Sequence, residues 1–354
     1  MAEQPVFHGG DIDSASREFG IPVEDWLDLS TGINPDGYPL PSVPESCYRQ
    51  LPNEYTEGLL EAAQNYYGAK HVVAAAGSQR LIQCIPAMRE PCRVALPDVG
   101  YQEHAYHWQQ QGHEVIFYSG FSIEQLDQWI TDGKVDCVVV INPNNPTALS
   151  VPVEYLGRWQ KALALRAGWL IVDEAFADVE QKNSFAPFSH LPGVCVLRSI
   201  GKFFGLAGLR LGFALCDELF AERLQLVLGA WAVNGPAQYI ARKALLDLAW
   251  QNHTRQLLLH NSQWMVQQWQ QAFSDGLLGQ FTNPLFVSCC FSFPMAQKIF
   301  YNMARQGVLL RFWPLPDKAR ALLRSGLIAG DNEISRERFV QALGIAVNGL
   351  KQHV

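Results

Sequence analysis

The sequence predicts an α/β protein with two parts: a large domain whose mostly parallel sheet is flanked by helices, and a smaller α+β domain. Three observations support this prediction: the length, the alternation of strand-like with helical stretches, and a change in that pattern near Asp217. The 354 residues exceed an average domain of about 150 residues, so two packed units are expected. Hydrophobic residues make up 48% and charged residues 17%, which is ordinary for a globular protein and unlike a disordered chain.

Short apolar runs alternate with stretches of helical period over the first two thirds of the chain. The predicted strands are 72–75, 93–96, 114–118, 137–141, 169–172, 195–199 and 211–215. Stretches between them, such as 153–166, have the apolar spacing of a helix. This alternation indicates β-α-β units and a parallel sheet, in which ligands collect beyond the carboxyl ends of the strands.

The pattern changes after Asp217 to long helical stretches rich in Leu, Gln and Trp, including 241–273. Shorter predicted strands follow at 285–293 and 308–312. We therefore expect three parts, which are an N-terminal segment (1–30), a large domain (31–245) and a small C-terminal domain (246–354).

Charge and cysteine content exclude several functional classes. A net charge of −7 and a pI near 5.7 disfavour a nucleic-acid partner, since neutralising phosphates requires a basic surface. The apolar runs are too short to cross a bilayer and no secretory signal follows Met1, so we expect a cytoplasmic protein without a membrane partner. Eight cysteines without a CxxC pair indicate reduced core thiols, and no metal site is predicted.

The segment 198–212 follows a predicted strand and sets one lysine, Lys202, among small and apolar residues. Burial would lower the pKa of this amine and expose the neutral form that attacks an aldehyde. Ser199 and Arg210 flank it with a hydroxyl and a guanidinium, which suit a phosphate dianion. The alternative is a strand, a turn and a helix carrying a surface lysine.

Three other segments also place polar side chains at predicted strand ends. The run 142–147 contributes amides, 172–176 a carboxylate, and 76–80 a Gly-Ser pair that could present backbone N–H groups to phosphate. Each has a simpler interpretation, namely an Asn/Pro turn, a helix N-cap and a capped helix start.

The chain order of these groups matches one known arrangement. The order Gly77-Ser78, Asn145, Asp173, Ser199, Lys202, Arg210 is similar to that of fold-type-I pyridoxal-phosphate enzymes. Over nearly its whole length the chain resembles their histidinol-phosphate aminotransferase branch. Within that branch, segments 8–11 (HGGD) and 26–35 (WLDLSTGINP) make it most similar to the threonine-phosphate decarboxylases of cobalamin biosynthesis. Segments 307–311 and 323–327 fit the family's substrate-binding arginines.

The resemblance implies that pyridoxal 5'-phosphate is held as a Schiff base on Lys202. Asp173 would keep the pyridine nitrogen protonated, Asn145 would bind the 3-oxygen, and Tyr101 would stack on the ring. The cofactor-binding residues implied by the resemblance are Gly77, Ser78, Gln79, Tyr101, Asn145, Asp173, Phe176, Ser199, Lys202 and Arg210. The large domain would bind the cofactor, and the N-terminal segment would pack with the small domain and the active site.

The resemblance also implies a substrate site for a small phosphorylated amino acid. Arg324 would bind its carboxylate, while Arg311 and His8, with the glycine backbone that follows, would bind its phosphate ester. The implied substrate-binding residues are His8, Gly9, Gly32, Asn34, Arg311 and Arg324. The alternatives for Arg311 and His8 are a rim arginine and a disordered tail.

Three positions depart from the pattern of many relatives. Phe176 stands where aminotransferases have a Tyr that donates to the 3-oxygen, and Gly201 stands where a Ser or Thr often precedes the lysine. Leu51 stands where a Tyr reaches the phosphate of the neighbouring subunit, and Tyr55 is a candidate substitute. A homodimer is still implied.

The resulting prediction is decarboxylation of L-threonine O-3-phosphate to (R)-1-amino-2-propanol phosphate. In this reaction Lys202 and Asp173 are the catalytic residues, and Lys202 is the proton donor to Cα. The same residues could instead align the Cα–H bond, so a histidinol-phosphate-type aminotransferase with an oxo-acid acceptor stays open. A non-catalytic sensor or scaffold with the cofactor fold is the third alternative, and the intact Lys202 and Asp173 argue against it.

Overall fold

The structure of the protein is a computed structural model that describes residues 9–53 and 58–351. The described chain divides into two compact units. The small unit comprises the described residues up to Asp36, the tripeptide Pro146–Ala148, and the described residues from His253 onward. The large unit comprises the rest. Within the described ranges, no helix is both long and apolar enough to cross a membrane.

The described residues form thirteen strands and twelve α-helices. The strands are β1 Leu27–Asp28, β2 His71–Ala75, β3 Arg93–Pro97, β4 Glu114–Tyr118, β5 Cys137–Ile141, β6 Trp169–Asp173, β7 Val194–Ser199, β8 Gly212–Cys216, β9 Gly279–Asn283, β10 Phe286–Ser292, β11 Val308–Leu309, β12 Arg311–Pro314 and β13 Arg320–Gly326. The helices are α1 Ile12–Phe19, α2 Ser46–Arg49, α3 Leu59–Tyr67, α4 Ser78–Cys84, α5 Glu103–Gln110, α6 Glu124–Thr131, α7 Val153–Ala164, α8 Glu218–Leu228, α9 Gly235–Leu246, α10 Leu248–Ala272, α11 Phe293–Ala304 and α12 Glu333–Lys351.

The large unit contains a seven-stranded sheet in the order β2-β8-β7-β6-β5-β3-β4. The strands from β7 through β4 run parallel, and β8 is antiparallel to both of its neighbours. The predicted mostly parallel sheet is therefore confirmed, with each predicted strand of this sheet within one residue of the observed bounds. All residues of β5, β6 and β8 are buried, as expected for strands covered on both faces.

The small unit contains a four-stranded antiparallel sheet in the order β12-β13-β10-β9. Of these strands the sequence indicated β10 and β12, while β9 and β13 were not predicted. The predicted strand 308–312 is two strands, because β11 pairs with β1 whereas β12 pairs with β13 in another sheet. The chain changes its pairing partner at Leu310, and an apolar run carries no information about such a switch.

The predicted helical stretch 241–273 is interrupted at Asp247, which separates α9 from α10. The Asp247 carboxylate accepts a hydrogen bond from the Trp250 backbone N–H at 3.0 Å. This bond satisfies a donor that would otherwise be unpaired at a new helix start, so the aspartate caps α10 within a continuous apolar pattern.

A buried ion cluster joins the ends of β6 and β7. Arg198 is 1% exposed and donates to Glu174 and Asp178, each at 2.6 Å, while its guanidinium lies 4.6 Å from the Tyr67 ring centroid. Burial raises the pKa of Glu174; burial alone would lower the pKa of Arg198, but the two carboxylates raise it. Each group therefore depends on its partners to remain ionised in the core.

We predict that Arg198→Leu destabilises the protein by about 3–5 kcal/mol, because two buried carboxylates lose their common counter-ion. Urea unfolding followed by circular dichroism measures the change. Arg49→Ala is the matched control, since the Arg49–Glu45 pair is exposed on α2 and such pairs contribute about 0–1 kcal/mol. Equal unfolding midpoints for the two variants would contradict the prediction.

Candidate active site

The register of the large sheet brings several strand ends together at one edge. Asp173 is the last residue of β6 and pairs with Ile141 on one side and Leu197 on the other. Gly212 opens β8 and pairs with both Ser199 and Ala75. The segments after β2, β5, β6 and β7, and the one before β8, therefore leave the sheet at the same edge, as the sequence predicted.

Asp173 is held by a histidine that the sequence analysis missed. Its carboxylate lies 2.9 Å from His104 Nε2 and also accepts a hydrogen bond from the Ala175 backbone N–H at 3.1 Å. Both side chains are buried. His104 stands three residues after Tyr101, on α5, so the helical spacing was the signal that could have found it.

Lys202 follows the end of β7 and is half-buried. Its Nζ lies 5.3 Å from the centroid of the Phe176 ring, and its carbonyl accepts from the Gly205 backbone N–H at 3.1 Å. A Cβ at Gly201 would lie 3.1 Å from Ala207 Cα, so the tight turn before the lysine favours glycine. This contact gives a steric reason for Gly201, at a position where relatives often have Ser or Thr.

Two glycines let hydrogen-bond donors converge at the end of β2. Gly77 has φ +82°, and a Cβ there would lie 2.7 Å from Arg210 Nη2. A Cβ at Gly212 would overlap the Ser78 backbone nitrogen. The Gly77–Ser78 backbone, the Ser199 hydroxyl and the Arg210 guanidinium at this edge are donors that suit a dianion.

A chain of side-chain hydrogen bonds fixes Tyr101. Its hydroxyl donates to Gln79 Oε1 at 2.9 Å, and Gln79 Nε2 donates to Glu103 Oε2 at 2.5 Å. The same carboxylate oxygen lies 3.1 Å from His107 Nε2. Burial raises the pKa of Tyr101, so its phenol stays protonated and available as a donor.

The asparagines after β5 divide into structural and candidate site residues. The Asn142 amide accepts from the Val151 N–H at 2.8 Å, and its Nδ2 donates to the Val151 carbonyl at 3.3 Å. Asn144 Nδ2 donates to the Val99 carbonyl at 2.8 Å. These two amides stabilise the loop, and Asn145 remains the candidate for the cofactor.

Two arginines of the small unit lie directly opposite each other, since Arg311 of β12 pairs with Arg324 of β13. Arg324 is 5% exposed and donates to the Ser30 carbonyl. Burial, and then the charge of Arg311, lower the pKa of Arg324 to about 9, and burial also lowers the pKa of Arg311. Arg324 stays charged near neutral pH, and a bound anion would relieve the repulsion within the pair.

The segment around Ser30 packs tightly in the same unit. The Gly10 backbone N–H donates to Ser30 Oγ at 2.7 Å, and a Cβ at Gly9 would overlap the Ser30 carbonyl oxygen. Gly32 is buried. The Asn34 amide bonds both the N–H and the carbonyl of Asp36, at 2.9 and 3.0 Å, and so supports a turn. His8 and Tyr55 lie outside the described residues.

Two further observations bear on where a site lies. Among the described residues, no group of His, Cys, Asp or Glu is arranged to hold a metal ion. A cavity of about 710 Å³ is lined by Trp169, Gly193 and Asp217, which lie at the sheet edge opposite to Asp173 and Ser199. It contains no predicted site residue, so cavity size does not locate the chemistry in this protein.

Comparison with known proteins places this arrangement in a family. The family described as aminotransferase class I and II matches residues 43–281. The threonine-phosphate decarboxylase of Pseudomonas aeruginosa is 41% identical over 331 residues, which cover 92% of this chain and 93% of that protein.

Solved structures agree on the fold. The histidinol-phosphate aminotransferase from Sinorhizobium meliloti, in complex with pyridoxal-5'-phosphate, superimposes with a TM-score of 0.83 at 19% identity, covering 98% of this chain and 96% of that one. The L-threonine-O-3-phosphate decarboxylase from Porphyromonas gingivalis gives a TM-score of 0.72 at 16% identity, covering 89% of this chain and 97% of that one. The chain belongs to the aminotransferase class I and II family and, within it, to the group of the threonine-phosphate decarboxylases.

Proposed function

We propose that this protein is a pyridoxal-phosphate-dependent carboxy-lyase that converts L-threonine O-3-phosphate to (R)-1-amino-2-propanol phosphate. The observation that carries the proposal is that Asp173 and Lys202 follow neighbouring strands to one sheet edge. The 41% identity to a threonine-phosphate decarboxylase supports this reaction over the aminotransferase alternative. A role in cobalamin biosynthesis is part of the proposal.

The residues at the sheet edge fit pyridoxal 5'-phosphate. Gly77 leaves space that a Cβ would fill against Arg210, and the donors around it suit a phosphate dianion. The buried Asp173 carboxylate suits a protonated ring nitrogen, and the Lys202 amine suits an aldehyde. When bound, the cofactor supplies an electron sink for the bond that breaks at Cα.

The chain's own residues then bind and orient the substrate, and one of them moves a proton. Arg324 binds the substrate carboxylate and Arg311 binds the phosphate ester, each through a charged hydrogen bond. The hydrogen bond from His104 holds the Asp173 carboxylate in place. Lys202 returns a proton to Cα after carbon dioxide leaves. The C3 stereocentre takes no part, which accounts for the R product.

We predict that the purified protein with bound cofactor releases one carbon dioxide per threonine phosphate consumed, without any oxo acid. Decarboxylation returns the amino group with the product, so no acceptor is needed. Carbon dioxide release and aminopropanol phosphate formation are measured together. Dependence of turnover on 2-oxoglutarate would instead identify an aminotransferase.

Lys202→Ala and Lys161→Ala form the matched pair for that assay. Loss of Lys202 should abolish both turnover and the visible absorbance of the protein-bound cofactor, because the amine that holds the cofactor is gone. Lys161 is exposed on α7, and its replacement should change neither. Full turnover by Lys202→Ala would refute the assignment of this lysine.

We predict that Arg324→Gln raises KM for threonine phosphate at least about tenfold, because a charge-assisted hydrogen bond to an anion contributes about 1.5–3 kcal/mol. Arg320→Gln is the control, since Arg320 lies on the same strand but is exposed and pairs with Asp317. Steady-state kinetics measure KM, and the cofactor absorbance verifies folding. An unchanged KM in Arg324→Gln would remove this residue from the substrate site.

We also propose that the protein is a homodimer. Tyr48, Leu51 and Trp231 are large apolar side chains that are 62–69% exposed. Helix α2, which carries Tyr48, packs against α9, whose start lies four residues after Trp231. A second copy of the chain would remove this apolar surface from water.

We predict that wild type sediments as a dimer and that Leu51→Asp with Trp231→Asp sediments as a monomer, since buried carboxylates without partners disfavour association. Sedimentation velocity at micromolar concentration measures this. Leu165→Asp, at an exposed leucine after α7, should stay dimeric. A monomeric wild type would contradict the proposal.

A further inference from the structure

Two thiols meet at the amino-terminal ends of neighbouring strands, away from the site described above. Cys92 immediately precedes β3, and Cys137 is the first residue of β5, which pairs with β3. Their sulfur atoms lie 3.7 Å apart. Cys92 is half-buried whereas Cys137 is fully buried, so only one of the two thiols is reachable from solvent.

His113 contacts both the backbone and the thiol of Cys92. Its Nδ1 accepts a hydrogen bond from the Cys92 backbone N–H at 3.1 Å and lies 3.5 Å from Cys92 Sγ. Its Nε2 lies 2.9 Å from the Pro86 carbonyl oxygen, which can only accept. The network therefore puts the ring proton on Nε2 and leaves the single lone pair of Nδ1 facing both the backbone N–H and the thiol of Cys92. The Pro86 carbonyl thus orients the ring beside the thiol.

The electrostatics separate the roles of the two thiols. The hydrogen bond between the two thiols lowers the pKa of Cys92 to about 6, with further contributions from the hydrogen bonds of His113 and Arg89. Burial raises the pKa of Cys137. The thiolate is the reactive form of cysteine, so Cys92 is the nucleophile and Cys137 is a protonated neighbour.

A cavity of about 410 Å³ gives access to Cys92. Cys92 and Pro91 line it together with charged side chains of both signs. The charged residues that line it are Arg93, Glu114, Lys134 and Asp136. Two charges of each sign leave the lining without a net charge, so the cavity does not select for a charged oxidant.

We propose that Cys92 is an oxidation site at which a hydroperoxide is reduced, with Cys137 as the resolving thiol. The Cys92 thiolate attacks one peroxide oxygen, the O–O bond breaks, and hydrogen peroxide yields one water and a sulfenic acid. The Cys137 sulfur then attacks the Cys92 sulfur while its proton passes to the departing hydroxyl, so the S–S bond forms, the S–O bond breaks and a second water leaves. The peroxide takes up two electrons and the thiol pair loses two.

The second step needs only a small movement. A disulfide bond is about 2.05 Å long, so the sulfur atoms must approach by less than 2 Å from 3.7 Å. Cys92 lies just outside β3, where its side chain can rotate without breaking the strand ladder. The other close pair, Cys195 and Cys216, lies directly cross-strand at 0% exposure and admits no oxidant.

The proposal does not depend on the decarboxylase reaction. Cys137 lies at the other end of β5 from Ile141, which pairs with Asp173, and four steps of about 3.3 Å put it about 13 Å from that edge. We therefore expect the oxidised protein to keep its decarboxylase turnover. A result that contradicts the oxidation site would then leave the proposed decarboxylase function unaffected, and the reverse also holds.

In the test, the reduced protein, with its cofactor bound, is treated with a small excess of hydrogen peroxide. Its peptides are then mapped by mass spectrometry. We expect a linked Cys92–Cys137 peptide that dithiothreitol releases, with the Cys195–Cys216 pair still reduced. In Cys137→Ser, the Cys92 sulfenic acid should accumulate and be trapped by dimedone. Cys92→Ser should form neither product.

His113→Asn tests the contribution of the histidine, because Asn Oδ1 can still accept from the Cys92 N–H but does not reproduce the hydrogen bond that helps to lower the pKa of the Cys92 thiol. We expect alkylation of Cys92 by iodoacetamide at pH 7 to slow about tenfold in this variant. Wild-type protein alkylated in parallel is the reference for the rate at Cys92. Peroxide treatment that oxidises Cys47 as fast as Cys92, or that gives no Cys92–Cys137 peptide, overturns the proposal.

Discussion

The contact between Arg198 and its two carboxylates constrains the edge on which the candidate site is built. Glu174 directly follows Asp173, and Arg198 directly precedes Ser199, so the ion cluster joins the two strand ends at those positions. A buried charge with two buried counter-ions tolerates little change in geometry. If the charges separate within the core, each is left without its partner in a low-dielectric environment. The strand ends beside it are therefore held in one register, and Asp173 is held with them.

The small unit meets a different electrostatic constraint. Arg311 and Arg324 are opposed across a strand pair, although like charges directly opposite destabilise a sheet. Burial adds to this cost, as the lowered pKa of Arg324 indicates. A substrate with both a carboxylate and a phosphate would supply two anions to this pair, which is the role proposed for it.

The two close thiol pairs of the large unit show how burial decides reactivity. Cys195 and Cys216 are enclosed by the strongly apolar sheet, and burial raises the pKa of Cys195. Cys92 and Cys137 meet at the end of a strand pair instead, with a histidine and a solvent-connected cavity beside them. The residue type is the same in both pairs, and the surroundings separate an inert thiol from a nucleophilic one.

The sequence by itself determined the parallel sheet, because apolar runs of strand length alternated with helical period. It also predicted that Asp173, Lys202 and Asn145 lie at or just beyond the carboxyl ends of strands, where the structure has them. Their roles toward a cofactor stay predictions. It did not determine β13 or the break at Asp247, since an apolar pattern does not say which strand a residue pairs with or where a cap forms.

Only the tertiary structure paired His104 with Asp173 and His113 with Cys92. It also set Arg311 opposite Arg324. These contacts join residues that are distant in the chain, and the identity of a residue does not state what lies beside it. Local sequence order fixes where a strand ends, whereas the packing of helices on the sheet and the register between strands fix which side chains meet. Those long-range distances also set the burial and the charges around each group, and hence its pKa.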